Sequence, residues 1–97
     1  MNDYILFMHT DALDHATPEA WPSYFEKLQN IGAFQGGSSI GGGEVLRKVG
    51  TAGQPTHHLS GYIRIQAESF AAAKALLDGN PVYECGGSVE IRELPRD

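Results

Sequence analysis

The chain has 97 residues and a single cysteine, which predict one domain spanning residues 1–97, no internal disulfide and a cytoplasmic location. The formal net charge is −5, and the seven Lys and Arg residues form no basic stripe, which excludes nucleic acid as the main ligand. No apolar run approaches the roughly 20 residues that span a bilayer, and the N-terminus has no basic leader, so we expect no membrane partner.

The first two predicted elements are a central strand and an amphipathic helix. Residues 4–10 are almost continuously apolar, a pattern typical of a strand that is buried on both faces. Over residues 18–31 the apolar side chains take helical spacing and form one stripe. Pro22 removes an early backbone hydrogen bond, so the regular helix is expected to begin near Ala20. Gly32 is expected to end it.

The next segment is rich in glycine and predicts a β-hairpin. Residues 34–40 and 44–49 are interpreted as its strands, with the glycines at 41–43 as the turn. The segment lacks the Gly-Lys-Ser/Thr ending of a phosphate loop, and no helical pattern follows it. Turns and bulges are therefore the expected role of these glycines.

The remaining elements are a strand, a helix and a strand. From Ser60 to Ala67, apolar and polar residues alternate with the period of two of a half-buried strand. Ser69 is the predicted N-cap of a second helix that ends at Gly79 and Pro81. Residues 88–94 alternate again and form the last predicted strand.

This order of elements predicts an α+β fold. It is the ferredoxin-like βαββαβ plan with one extra hairpin strand, an antiparallel sheet and both helices on one face of that sheet. The other face carries polar side chains and is left open. Dimerisation, with sheet facing sheet, is the expected way to cover it.

The chain resembles the YCII-related family, which includes YciI-like and DGPF-type proteins, over nearly its whole length. The resemblance rests on four segments in a fixed order, namely Tyr4–His9, Gly32–Ser38, Gly61–Ala67 and the run from Asn80-Pro81 to Val89–Pro95. It implies the ferredoxin-like fold and a homodimeric α/β barrel with a cleft near the dimer interface. The chain lacks the Asp-Gly-Pro-Phe string of the DGPF-type branch.

The resemblance also implies two site positions. A histidine early in the first helix and an aspartate before a proline have been suggested as a catalytic pair in YciI-like relatives. These positions fall on Trp21 and Asn80 here, and neither side chain acts as an acid or base near neutral pH. The implied mechanism therefore does not carry over, and both residues become candidate ligand contacts. Trp21 is otherwise expected to be helix-face core.

His9 and Asp11 are the candidate catalytic residues in the chain itself. If Asp11 orients His9, the imidazole can act as a base near neutral pH. In the alternative interpretation, His9 caps the sheet edge and Asp11 is a solvated loop residue. The spacing of these residues from His15 and from the pair at 57–58 matches no known metal site, so no metal and no cofactor are expected.

Tyr62, Arg64 and Gln66 form the polar face of their strand and are the candidate ligand-binding group. Arg64 can receive a carboxylate or phosphate, with Tyr62 as a hydrogen-bond donor, which points to a small acidic metabolite. Alternatively, Arg64 belongs to a network with Glu90 across the dimer interface. Sequence does not separate a polar pocket from a polar interface.

Two functions are compatible with these features. The first is a dimeric small-molecule-binding domain with a polar cleft near the dimer interface, which is either an enzyme or an enzyme relic. The second is a non-catalytic interaction or regulatory module that uses the dimer surface to bind a protein or a metabolite. Whether the protein is an enzyme remains open at this stage.

Overall fold

The computed structural model describes residues 1–96 and has an α+β architecture. Its elements, in chain order, are β1 (Asn2–His9), α1 (Ala20–Asn30), β2 (Phe34–Ser39), β3 (Leu59–Ala67), α2 (Phe70–Ala75), α3 (Pro81–Glu84) and β4 (Val89–Leu94). Among these residues, no helix has the length and hydropathy needed to cross a membrane.

The four strands form one antiparallel sheet in the order β2-β3-β1-β4, which is compatible with the predicted ferredoxin-like plan. β1 lies in the centre, as expected, and pairs with β3 along its whole length, from Asn2 opposite Ala67 to His9 opposite Leu59. β4 pairs with the other edge of β1.

Helices cover one face of the sheet, here termed the covered face. Its core alternates along each strand as the period of two requires, with Tyr4, Leu6 and Met8 from β1 and Ile63 and Ile65 from β3 all buried. The residues between them point to the other side, here termed the open face. Ile5 and Phe7 of β1 are half-buried there, so the central strand is covered by helices on one face only.

Local sequence explains where the helices begin and end. α1 begins at Ala20, as Pro22 indicated, and Gly32 ends it with φ of 74°. The Gly32 and Ala33 amides donate to the Gln29 and Leu28 carbonyls, which satisfies the last turn as in a Schellman motif. The predicted N-cap Ser69 is also confirmed, because its hydroxyl accepts from the Ala72 amide at 3.1 Å.

The prediction of an extra hairpin strand is wrong. β2 pairs with β3, so residues 44–49 belong to the long connection between those strands and have no regular structure. The sequence Glu-Val-Leu-Arg-Lys-Val does not alternate, so it has no single apolar face to place against a sheet. Its apolar side chains Val45, Leu46 and Val49 are exposed.

A short helix, α3, was not expected. Gly79 and Pro81 were predicted to end the second helix, but Pro81 is the first residue of this new helix, and Asn80 is its N-cap. The Asn80 side chain accepts from the Val82 and Tyr83 amides at 3.0 and 3.2 Å.

Candidate functional site

A cleft of about 520 Å³ lies on the covered face, between the β2–β3 end of the sheet and the helices α1 and α3. Its volume falls in the range of about 300–1,000 Å³ that small-molecule pockets occupy. Its lining residues come from β1, α1, β2, β3 and α3. The cleft is therefore a candidate binding site.

Small residues in the strands make the floor of the cleft. Gly37 pairs with Ile63, and Ser39 pairs with Gly61, so these residues share the covered face. Three of the four have a small side chain or none, so the sheet has little side-chain volume under the first turns of α1. A Cβ at Gly37 would lie 2.6 Å from the Tyr62 carbonyl oxygen, which explains why glycine is needed there.

Aromatic side chains of α1 make the wall. The rings of Trp21 and Phe25 stack at 5.5 Å with an interplanar angle of 28°. Tyr24 meets the Trp21 ring edge-on at 6.3 Å, and Phe34 meets the Phe25 ring edge-on at 5.5 Å. These neighbours hold both rings in place. Val82 of α3 completes the lining on that side.

Tyr24 fixes the position of α1 against the next helix. Its hydroxyl donates to the Leu76 carbonyl at 2.7 Å, just after α2 ends. Burial raises the pKa of the Tyr24 phenol, and the nearby Asn80 amide partly opposes this shift. The phenol therefore remains a neutral donor near neutral pH.

The cleft contains only part of the predicted site. Trp21 and Tyr62 are among the eleven residues that line it, whereas the predicted residues His9, Asp11, Arg64, Gln66 and Asn80 are not. Within residues 1–96, no lining residue is Asp, Glu, Lys, Arg or His. The cleft between sheet and helices is therefore uncharged, and the charged residues of the predicted site lie elsewhere.

His9 lies on the open face, outside the cleft. Its Nε2 is 3.3 Å from a carboxylate oxygen of Glu90, and its ring meets that of His58 edge-on at 4.9 Å. Glu90 also accepts from Arg92 at 3.1 Å, and Arg92 followed by His9 lowers the pKa of the Glu90 carboxyl. Glu90 therefore makes the contact with His9 that was expected from Asp11.

Asp11 bonds to Ser88 instead of His9. Its two carboxylate oxygens accept from the Ser88 amide at 2.7 Å and from the Ser88 hydroxyl at 2.6 Å. These bonds, with the hydroxyl bond first, lower the pKa of the Asp11 carboxyl. Because Ser88 directly precedes β4, Asp11 anchors the start of that strand. The orienting role expected of Asp11 is not compatible with this geometry.

Arg64 lies in the centre of the open face. The register places Arg64 and Arg92 on either side of Ile5, and Tyr62 and Glu90 on either side of Phe7. Arg64 is exposed and makes no salt bridge with any residue from 1 to 96. The strand pairing therefore brings the predicted polar group together, around two apolar side chains.

Gln66 lies at the end of the open face. Its amide donates to Asp3 at 3.0 Å and its carbonyl oxygen accepts from Gln35 at 3.4 Å. Arg96, bonded to Asp3 at 2.9 Å, is the main cause of the lowered pKa of the Asp3 carboxyl. Gln66 thus joins β3 to both neighbouring strands.

Asn80 is fully buried and has a structural position. Its Oδ1 caps α3, whereas its Nδ2 is buried without a hydrogen-bond partner among the described residues. It supports the helix that carries Val82 and does not line the cleft.

Most residues that line the cleft were not predicted from the sequence. Gly37, Gly61, Phe25 and Val82 line it, and none was predicted as a site residue. The available signal was a break in the alternating pattern, because Gly61 stands in β3 where the pattern of Ile63 and Ile65 would place another large side chain.

The cluster of histidines has no metal-binding geometry. Residues 1–96 contain no group of three or more His, Cys, Asp and Glu side chains that could hold a metal ion.

Comparison with known proteins does not assign the chain to a family. No family model matches the chain, and no curated protein is recognisably similar to it in sequence.

Proposed function

We propose that the protein is a homodimeric domain that binds a small molecule in the cleft between the sheet and α1. The observation that carries this proposal is the cleft itself, with about 520 Å³ of space, a backbone floor and an aromatic wall. Concave, mostly apolar sites with a few polar groups are where small molecules bind in proteins.

We also propose that the protein is a member of the YCII-related family and is cytoplasmic. The order of its strands and helices is compatible with the fold which that resemblance implies. The four similar segments fall on β1, on the α1–β2 junction, on β3, and on the run from the start of α3 through β4.

Binding without catalysis is the better supported form of this function. Acid–base catalysis needs a titratable group within hydrogen-bond reach of the reacting atoms. His9 lies on the open face and its Nε2 contacts Glu90, so it does not reach a molecule in the cleft. The aromatic and serine side chains that line the cleft bind and orient a ligand without supplying a general base.

The open face is the proposed dimer interface. It presents two half-buried apolar residues, Ile5 and Phe7. Ile5 lies between Arg64 and Arg92 on the neighbouring strands, and Phe7 lies beside Glu90. An apolar centre with a charged surround is the usual anatomy of a protein–protein interface. Pairing two such faces removes the apolar centre from water and gives Arg64 an acidic partner across the interface.

Fluorescence of Trp21 tests binding in the cleft, because this is the chain's single tryptophan. A fragment library of neutral and acidic compounds is titrated into the wild type. Binding predicts a saturable change in Trp21 emission for at least one compound. The Ser39→Phe variant, which fills the floor of the cleft, is expected to lose that change.

Ser23→Phe is the matched control, because Ser23 is exposed on α1 and does not line the cleft. This variant is expected to respond like the wild type. The proposed binding function is wrong if no compound changes the emission saturably, or if Ser39→Phe responds as strongly as Ser23→Phe.

A further inference from the structure

The charge of the cleft restricts the class of molecule that it accepts. Within residues 1–96 its lining has no Lys, Arg or His to pair with an acid, and the predicted anion anchor Arg64 points to the opposite face of the sheet. A carboxylate that leaves water without a partner cation loses far more hydration free energy than a neutral group does. The cleft therefore disfavours the acidic ligands that the sequence suggested.

The wall of the cleft favours aromatic ligands. The centroids of the Trp21 and Phe25 rings lie 5.5 Å apart in a stacked arrangement. Tyr24 meets the Trp21 ring edge-on, and Phe34 meets the Phe25 ring edge-on. A preformed aromatic surface gains stacking or edge-to-face energy from an aromatic partner, beyond the burial of its area.

The floor of the cleft favours flat ligands. At Gly37 and Gly61 the sheet presents bare peptide groups towards the helices. The sheet itself excludes a side chain at Gly37, where a Cβ would lie 2.6 Å from the Tyr62 carbonyl oxygen. It disfavours one at Gly61, where a Cβ would lie 3.0 Å from that of Ser38. A flat floor beneath an aromatic wall leaves a slot in which a planar ring makes more contact than a branched chain.

Two hydroxyl groups give the slot a polar end. Ser39 and Ser60 lie on adjacent strands and both line the cleft. The Ser60 hydroxyl donates to the Met8 carbonyl at 3.3 Å and can therefore only accept from a ligand, whereas the Ser39 hydroxyl makes no hydrogen bond within residues 1–96 and can donate to a ligand carbonyl. A ligand with one or two uncharged hydrogen-bonding atoms at its edge matches this arrangement.

We infer that the cleft binds a neutral, planar aromatic or heteroaromatic molecule with a hydrogen-bonding edge, an inference that rests on the proposed small-molecule function. The uncharged lining favours a neutral ligand, and the stacked rings favour an aromatic one. The bare floor favours a planar ligand, and the serine hydroxyls favour a hydrogen-bonding edge. Arg64 has no part in this recognition and belongs to the open face.

Coumarin and coumarin-3-carboxylate test this inference, because they share one planar ring system and differ in a single charged group. Each is titrated into uniformly ¹⁵N-labelled protein, with the backbone amides of Gly37 and Gly61 as local probes of the floor. The inference predicts saturable shifts of both amides with coumarin, and a dissociation constant about tenfold lower than that of the carboxylate.

The aromatic wall is tested with Trp21→Leu, which keeps an apolar side chain but removes the ring. Coumarin affinity is expected to fall about fivefold, in line with the loss of one aromatic contact. Trp21→Phe is expected to restore most of it. Tyr83→Leu is the control, because Tyr83 is exposed on α3 and lines no part of the cleft. The dispersion of each spectrum verifies that each variant is folded.

The outcomes separate this inference from the proposed function. If the carboxylate shifts the Gly37 and Gly61 amides at equal or lower concentration than coumarin, the ligand class is wrong and small-molecule binding stands. Equal affinity of Trp21→Leu and the wild type for coumarin also overturns the aromatic assignment. If neither compound shifts these amides, and no other fragment changes Trp21 emission, both the inference and the proposed function are wrong.

Discussion

The two faces of the sheet differ in what covers them and in the charge that they carry. The covered face has a close-packed core around Leu6 and Ile65, next to an uncharged cleft. The open face has the ion pair of Glu90 with Arg92, the contact of Glu90 with His9, and the exposed Arg64, around two half-buried apolar residues. Each strand contributes to both faces through alternate residues. The charged residues that stand out in the sequence therefore lie away from the cleft, and the site in the cleft is built from residues without charge.

The largest expected effect contrasts two neighbouring residues of β1. Leu6→Ala removes a fully buried side chain of the covered face and is expected to lower the free energy of unfolding by about 2–5 kcal/mol. Ile5→Ala, on the half-buried open face, is expected to cost less in the monomer. Urea denaturation at several protein concentrations measures both.

Dilution distinguishes the two faces in that experiment. The cost of Leu6→Ala is expected to be independent of protein concentration, because one chain buries this residue. The cost of Ile5→Ala is expected to increase at concentrations where the dimer forms. An equal, concentration-independent cost at both positions would contradict the contrast.

The second prediction concerns a variant that disrupts the open face and leaves the covered face unchanged. Phe7→Glu places an unpaired carboxylate in the proposed interface and is expected to raise the dissociation constant of the homodimer about 100-fold or more. Light scattering after size-exclusion chromatography measures the shift towards the chain mass of 10.5 kDa.

Ile31→Glu is the control for this variant, because Ile31 is an exposed apolar residue at the end of α1, away from the open face. It is expected to keep the dimer of the wild type. A wild-type mass equal to one chain at all concentrations would show that the open face is not a homodimer interface.

The fold was predictable in large part because the local signals agree with it. The alternation in β3, the Ser69 cap and the Gly32 stop all act within a few residues, and all three occur in the structure. The extra strand was wrong because glycines at 41–43 indicate a turn without saying which segments it connects. The true partner of β2 begins only at Leu59.

The site was predictable only in part, because it depends on strand register and on positions where the strands have small residues or no side chain. Alternation placed Tyr62, Arg64 and Glu90 on one face correctly. No local pattern shows that Asp11 bonds to Ser88, which is 77 positions away in the chain. The cleft arises where small residues of β2 and β3 lie side by side under α1, and this depends on strand pairing.

The third prediction concerns the helix cap behind the cleft. Asn80→Ala removes the acceptor for two backbone amides in a buried setting and is expected to cost about 2 kcal/mol of stability. Ser69→Ala, which removes a single exposed cap bond, is expected to cost about half as much. Thermal denaturation measures both, and equal costs would contradict the role of burial at Asn80.

The smallest expected effect concerns Asp11, which anchors the start of β4. Its folded-state pKa lies below the ordinary value of 3.8, so the bonds to Ser88 add stability above that value and lose it as the pH falls through the folded-state pKa. Asp11→Ala is therefore expected to be less stable than the wild type at neutral pH, with a difference that shrinks in acid.

Asp14→Ala is the control for the acid dependence, because within residues 1–96 the Asp14 carboxylate accepts a hydrogen bond only from the adjacent His15 amide. It is expected to follow the wild type at every pH. Denaturation midpoints measured across the acid range compare the three proteins. A difference between Asp11→Ala and the wild type that stays constant into strong acid would rule out an ionised Asp11 anchor.

The central claim is that the two faces have separate roles, with ligand binding on the covered face and dimerisation on the open face. Coumarin titration and light scattering on Ser39→Phe and Phe7→Glu test it most directly. Phe7→Glu is expected to lose the dimer and keep the coumarin affinity within about twofold, since Phe7 points to the face of the sheet opposite the cleft. Ser39→Phe is expected to keep the dimer and lose coumarin binding. Loss of both properties together in either folded variant would contradict the claim.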